Sequence, residues 1–122
     1  MSLKEYFKRF KYPANGLLIV WREESNFRFH IAWMSLTILF SYIFSVSIIE
    51  FLIILTMISF VIVAELFNTA LEELCDKFQP THDPHIGKIK DLSAAAVSVA
   101  ALTALLIGLI IFTPRVINFF TA

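Results

Sequence analysis

The stretch "AELFNTALEELCDKF", residues 64–78, decides how this chain is read. It continues an apolar run, "FLIILTMISFVIV" (51–63), of the kind that lies in a membrane, yet it carries Glu65, Asn68, Glu72 and Asp76. At ~100° per residue these four side chains fall within an arc of roughly 80° on a helix. Leu66, Phe67, Ala70, Leu71 and Leu74 point in other directions. The segment therefore reads as a helix leaving lipid with one narrow polar stripe. An acidic group at membrane depth is costly and by default suggests function. A solvated helix end is the plain alternative for Glu73 and Asp76, and a bond to a neighbouring helix is the plain alternative for Asn68.

Working outward, the composition supports a membrane setting. The chain has 122 residues, of which 58% are hydrophobic and 16% charged, with thirteen Phe. A soluble domain of this size leaves too much of itself exposed to hide that much apolar surface. The expected class is an all-α membrane protein forming a single domain over 1–122. No secretory signal pattern is visible at the N-terminus, where basic residues mix with aromatics. The single Cys75 cannot form an internal disulfide and reads as a structural cysteine. No repeat or low-complexity segment stands out, and nothing points to a nucleic-acid partner.

Three transmembrane helices are expected, over about 29–46, 48–78 and 88–113, preceded by an amphipathic surface helix over about 1–26. A crossing needs roughly 20 apolar residues. The first and third segments meet this directly. The second is short unless its helix begins near Ser47 or Ile48 and Glu65 emerges at the opposite interface. In the surface helix, Tyr6, Phe7, Phe10 and Tyr12 alternate with Lys and Arg, and Pro13 with Gly16 suggests a break or bend. "FSVSIIE" (44–50) allows only a tight link between antiparallel helices. Asp83 before Pro84 reads as an N-cap followed by proline in the first turn.

Three crossings put residues 1–28 and the 77–90 loop on one side. Nine of the ten Lys and Arg lie there, Arg115 being the exception. The positive-inside rule makes that side cytoplasmic, in a bacterial inner membrane, with the tail "PRVINFFTA" outside. Nine of the ten acidic residues share the inner side, and only Glu50 does not.

Carboxylates suit Mg²⁺, which is commonly held together with waters and substrate phosphates. Of two carboxylates on one helix face, one can hold a metal while the other accepts a proton from an alcohol. "GKIKD" (87–91) adds Lys88, Lys90 and Asp91, and a lysine near phosphate oxygens stabilises a transferring phosphoryl group. A lysine at a helix start is, by itself, more often a topology anchor. "IGKIKD" is not a nucleotide-binding loop, since the first Gly and the Ser or Thr after Lys are missing. His82 and His85 give only a weak zinc signal, and His30 reads as an interfacial anchor.

"EESNFRFH" (23–30), "AELFNTALEELCD" (64–76) and "HDPHIGKIKDLSAAAV" (82–97) together resemble the prokaryotic integral-membrane diacylglycerol kinase and undecaprenol kinase family, without gaps from about Tyr12 to Phe112. The resemblance implies a homotrimer of three-span subunits, each with a surface helix. It implies transfer of the γ-phosphoryl of ATP, with Mg²⁺, to a lipid alcohol at the cytoplasmic interface, the acceptor being diacylglycerol or undecaprenol. Glu65 matches the general base, and Glu24 and Glu72 match metal-binding carboxylates. Tyr12, Glu24, Asn68, Glu72, His82, Asp83, Lys90 and Asp91 match the ATP-binding region. Gly16, Trp21, Phe27, Arg28 and Glu65 match the lipid-substrate site.

The sequence departs from the family pattern in places. "HDP" stands at 82–84 where other members often have Tyr-His or His-His, and "SAAA" (93–96) lacks a common Gly. His30 stands where the best-known diacylglycerol kinases carry Glu, which leans the acceptor toward a polyprenol. A carboxylate at the boundary between oil and water is partly desolvated and so a better base. The rival reading is a small ion- or proton-coupled transporter or channel subunit using Glu65, although such sites usually lie near the midplane at a repeat interface.

Overall fold

The computed structural model describes residues 1–122 and contains only helices: α1 (Leu3–Lys8), α2 (Lys11–Glu23), α3 (Ser25–Ile43), α4 (Ile48–Phe78) and α5 (Pro84–Thr121). Local chemistry sets most of the boundaries. Ser2 starts α1 with a capping box, its hydroxyl accepting from the Glu5 amide while the Glu5 carboxylate accepts from the Ser2 amide. Ser47 and Glu50 repeat this arrangement at the start of α4. At α5, Asp83 Oδ1 accepts from the amides of His85 (2.9 Å) and Ile86 (3.0 Å), with Pro84 in the first position. Each cap satisfies amides that have no partner within their own helix.

The link from α3 to α4 is equally specific. Ser45 takes a positive φ of 50°. The Val46 amide reaches back to the Ser41 carbonyl (3.1 Å) and the Ser45 amide to that of Tyr42 (3.2 Å). This is the Schellman pattern, with a left-handed residue just past the helix end. It reverses the chain in very few residues and leads directly into the Ser47 cap.

Two expectations from the sequence need correction. The break in the N-terminal helix falls at Arg9–Phe10, not at Pro13 or Gly16, which both lie inside α2. Pro13 sits in the first turn of α2, where its missing N–H would have had no partner in any case. The second correction concerns the tail. Helix α5 does not stop at 113 but runs through Pro114 to Thr121, so part of "PRVINFFTA" is helical. Helices α4 and α5 are by themselves long and apolar enough for a crossing. Helix α3 falls short because Asn26, Arg28 and His30 occupy its first turns, while α4 gains from beginning right after Ser47.

The centre of the fold is the antiparallel pair α4–α5, joined by polar contacts at three levels. Asp76 meets Lys90, Asn68 meets Ser93, and Glu50 meets Arg115. The Arg115 guanidinium engages both Glu50 oxygens and also donates to the Ile111 carbonyl (2.9 Å). Between the Asp76–Lys90 and Glu50–Arg115 contacts, Leu92–Thr113 carries no charge. These residues rise ~33 Å, enough to cross a hydrocarbon layer of ~30 Å. Helix α3 lies against α4, and α2 touches both.

One copy leaves much of itself uncovered. Its accessible surface is 9237 Å² and only ten residues are buried. A folded soluble monomer of 14.0 kDa would expose about 6,700 Å². Much of the excess is apolar side chain, including Phe60, Phe67, Leu102 and Ile110, as a chain surrounded by lipid or by other copies requires.

Candidate active site

The polar stripe of α4 faces its neighbours. Glu65 is only 5% exposed, in line along the helix with buried Val61 and Thr69. Its Oε1 lies 3.0 Å from His30 Nε2 on α3. Glu24 stands at the corner between α2 and α3, and Glu72 lies two turns further along α4. One turn on from Glu65, Asn68 Oδ1 accepts from Ser93 Oγ at 2.7 Å. At the far end of the stripe, Asp76 is paired with Lys90. Glu72 is half-buried. Glu65, Asn68 and Asp76 thus each meet a different partner across a helix seam.

The residues expected at the site divide into two groups. Glu65 pairs with His30, and the Asn68–Ser93 and Asp76–Lys90 contacts continue the same seam, with Glu72 on the same stripe of α4 and Glu24 at the α2–α3 corner. At the start of α5, His82 and Asp91 line an open, polar cavity of about 540 Å³ with Lys88 and Gly87. Asp83 is engaged as the α5 cap. Tyr12 is largely exposed on α2, and Gly16 faces open space. Phe27 is buried and Trp21 half-exposed. Arg28 turns back onto α2, Nη1 donating to the carbonyls of Trp21 (2.6 Å) and Arg22 (3.2 Å). It thereby satisfies carbonyls at the end of that helix, where a cation is also favoured by the helix dipole.

Sequence reasoning missed His30 as a partner of Glu65. A signal was available. Folding α3 back onto α4 sets residues equally distant from the link side by side. His30 is fifteen before Ser45 and Glu65 is twenty after it, a difference of little more than one turn. The pairing of Glu50 with Arg115 was also missed, although these were the two charges left over on the outer side.

An apolar cleft of about 490 Å³ opens beside the site between α3, α4 and α5. It starts at Val61, one turn from Glu65, and passes Met57 and Ile54 on α4, Trp33 and Phe40 on α3, and Gly108 on α5. Thr37 in its wall already donates its hydroxyl to the Trp33 carbonyl, so the cleft offers little to a polar occupant.

The site accommodates a hard divalent ion only partly by itself. No group of three or more His, Cys, Asp or Glu side chains gathers around a common point. Glu24 and Glu72 are the two carboxylates expected at the metal, and Mg²⁺ is commonly held by one or two carboxylates, completing its shell with waters and phosphate oxygens.

Together these features define a class: a small, all-helical membrane protein with a buried carboxylate between its helices, next to an apolar cleft. The pattern of the family described as prokaryotic diacylglycerol kinase matches residues 11–112. Undecaprenol kinase of Bacillus subtilis (strain 168) is 36% identical over 114 residues, covering 93% of each chain. The chain belongs to the prokaryotic diacylglycerol kinase family, and it is an ATP-dependent lipid kinase. The transporter reading of Glu65 is set aside accordingly.

Proposed function

We propose that this kinase transfers the γ-phosphoryl group of Mg-ATP to the hydroxyl of undecaprenol at the cytoplasmic face of the bacterial inner membrane. The observation that carries this is the position of Glu65. It is a buried carboxylate one turn to the apolar side of the Asn68–Ser93 contact, near where the uncharged run of α5 begins. A lipid alcohol diffusing in the bilayer brings its hydroxyl to that level while its chain stays in hydrocarbon. The cleft that starts at Val61 is suited to the first part of that chain. The similarity to an undecaprenol kinase favours a polyprenol over diacylglycerol.

The chemistry follows from the residues. Glu65 accepts the proton as the lipid O–H bond breaks. The lipid oxygen bonds to the γ-phosphorus, and the bond from that phosphorus to the β–γ bridging oxygen breaks, releasing ADP. Burial keeps bulk water, a competing acceptor, away from this step. Glu24 and Glu72 are the residues to hold Mg²⁺, which when bound neutralises charge on the β and γ phosphates. Lys90, Asn68 and Asp91 serve the nucleotide side. Lys90 rests on Asp76 and exchanges that partner for phosphate oxygens when the nucleotide arrives. His82, beside Asp91 in the open cavity, serves the base or ribose, as Tyr12 and Asp83 do by family resemblance. Gly16, Trp21, Phe27 and Arg28 shape the lipid's approach.

We further propose three crossings per chain, α3 being the third, with the N-terminus inside and the C-terminus outside. The bias of nine cations to one side supports this. A homotrimer is supported by the apolar surface left open in one copy. Phosphorylation of undecaprenol and of diacylglycerol, measured side by side with labelled ATP in mixed micelles, tests the acceptor. Faster turnover of undecaprenol is expected. A clear preference for diacylglycerol would overturn the choice of acceptor, and activity on neither lipid would overturn the reading as a whole.

A further inference from the structure

We propose that His30 is a positioning residue for Glu65: its Nε2, in ion-pair contact with Glu65 Oε1, holds that oxygen and so aims the other carboxylate oxygen at the acceptor hydroxyl. The inference rests on the reading of Glu65 as the base and extends the site to α3.

Geometry supports it. His30 Nε2 and Glu65 Oε1 are 3.0 Å apart, within hydrogen-bond range for N–H···O. Glu65 is 5% exposed, and a carboxylate removed from water needs a partner. His30 is the one side-chain partner of its oxygens. The His30 ring stands edge-on to Phe29 at 6.1 Å between centroids, and Phe29 in turn to Trp33 at 6.1 Å.

Holding one oxygen has a kinetic consequence. A carboxylate free to rotate presents either oxygen at varying angles, whereas one fixed by a donor presents a single lone pair to the hydroxyl. Misplacement of a reacting group by about 1 Å can cost on the order of 10²-fold in rate. The contribution belongs to the proton-transfer step and not to nucleotide capture.

The test uses the full chain in lipid–detergent micelles, with undecaprenol and labelled ATP. His30→Ala is expected to lower kcat by about tenfold or more while KM for ATP stays within about twofold. His30→Gln, which keeps an N–H donor, is expected to restore most of the lost rate. In the Glu65→Gln background, His30→Ala is expected to cost nothing further, because it then has no base to aim. Wild-type kcat in His30→Ala would overturn the proposal. So would equal loss in the alanine and glutamine variants with a matching rise in KM for ATP, which marks a purely structural role. If the alanine variant does not fold, the glutamine variant decides alone: a rate near wild type supports the pairing, and a rate more than about tenfold lower overturns it. A wild-type chain that phosphorylates no lipid refutes the parent reading instead of the pairing.

Discussion

Replacing Glu65 by glutamine should stop turnover without dismantling the site. The two side chains have nearly the same shape, and the glutamine carbonyl can still accept from His30 Nε2, 3.0 Å from the present Oε1. Packing against Val61 and Thr69 is retained. What disappears is the capacity to take a proton. A positioned general base contributes about 10²–10⁴-fold, equivalent to about 2.7–5.4 kcal/mol of barrier. Because Glu65 is only 5% exposed, bulk water is poorly placed to substitute, so the loss should fall in the upper half of that range. The nucleotide side, centred on Lys90, Asn68 and Asp91, is untouched. Transfer of label from ATP to undecaprenol gives kcat, and protection against thermal unfolding by Mg-ATP reports binding. The expected result is a fall in kcat of about 10³-fold or more with nucleotide protection intact. A variant that phosphorylates lipid at the wild-type rate would refute the base role.

Other expectations follow from the same geometry. Glu24→Gln and Glu72→Gln should each raise the Mg²⁺ concentration needed for half-maximal rate by about tenfold or more, read from a metal titration; an unchanged titration counts against both ligands. Ser93→Ala leaves Asn68 Oδ1 without its donor across α4–α5 and should destabilise the fold by about 1 kcal/mol, measured by denaturant unfolding in micelles. Ser45, held at φ 50°, should tolerate Gly, while Ser45→Val should cost about 1–2 kcal/mol in the same assay; equal stability of the two variants would contradict the left-handed link. In a mild detergent the chain should sediment as three copies of its 14.0 kDa, and a monomer would argue against the proposed assembly.

How much of this was visible in the sequence depends on range. The all-helical character, the Asp83 cap and the narrow stripe of Glu65, Asn68, Glu72 and Asp76 are local properties. They follow from side-chain periodicity and from short polar residues next to free amides, and they need no knowledge of neighbours. The break before α2 misled for a related reason: proline and glycine mark breaks on average, but Pro13 sits in a first turn where it disrupts nothing. Pro114 likewise does not end α5, which continues to Thr121.

Periodicity by itself determined which face of α4 is polar and that this face belongs at a membrane boundary. It could not say what that face meets. Only the tertiary structure set His30 against Glu65, Ser93 against Asn68, Lys90 against Asp76 and Arg115 against Glu50. Those contacts depend on how far each helix is rotated and slid along its neighbour. Rotation and offset are fixed by the Ser45 link and by the packing of many apolar side chains at once, and no short stretch of residues encodes either.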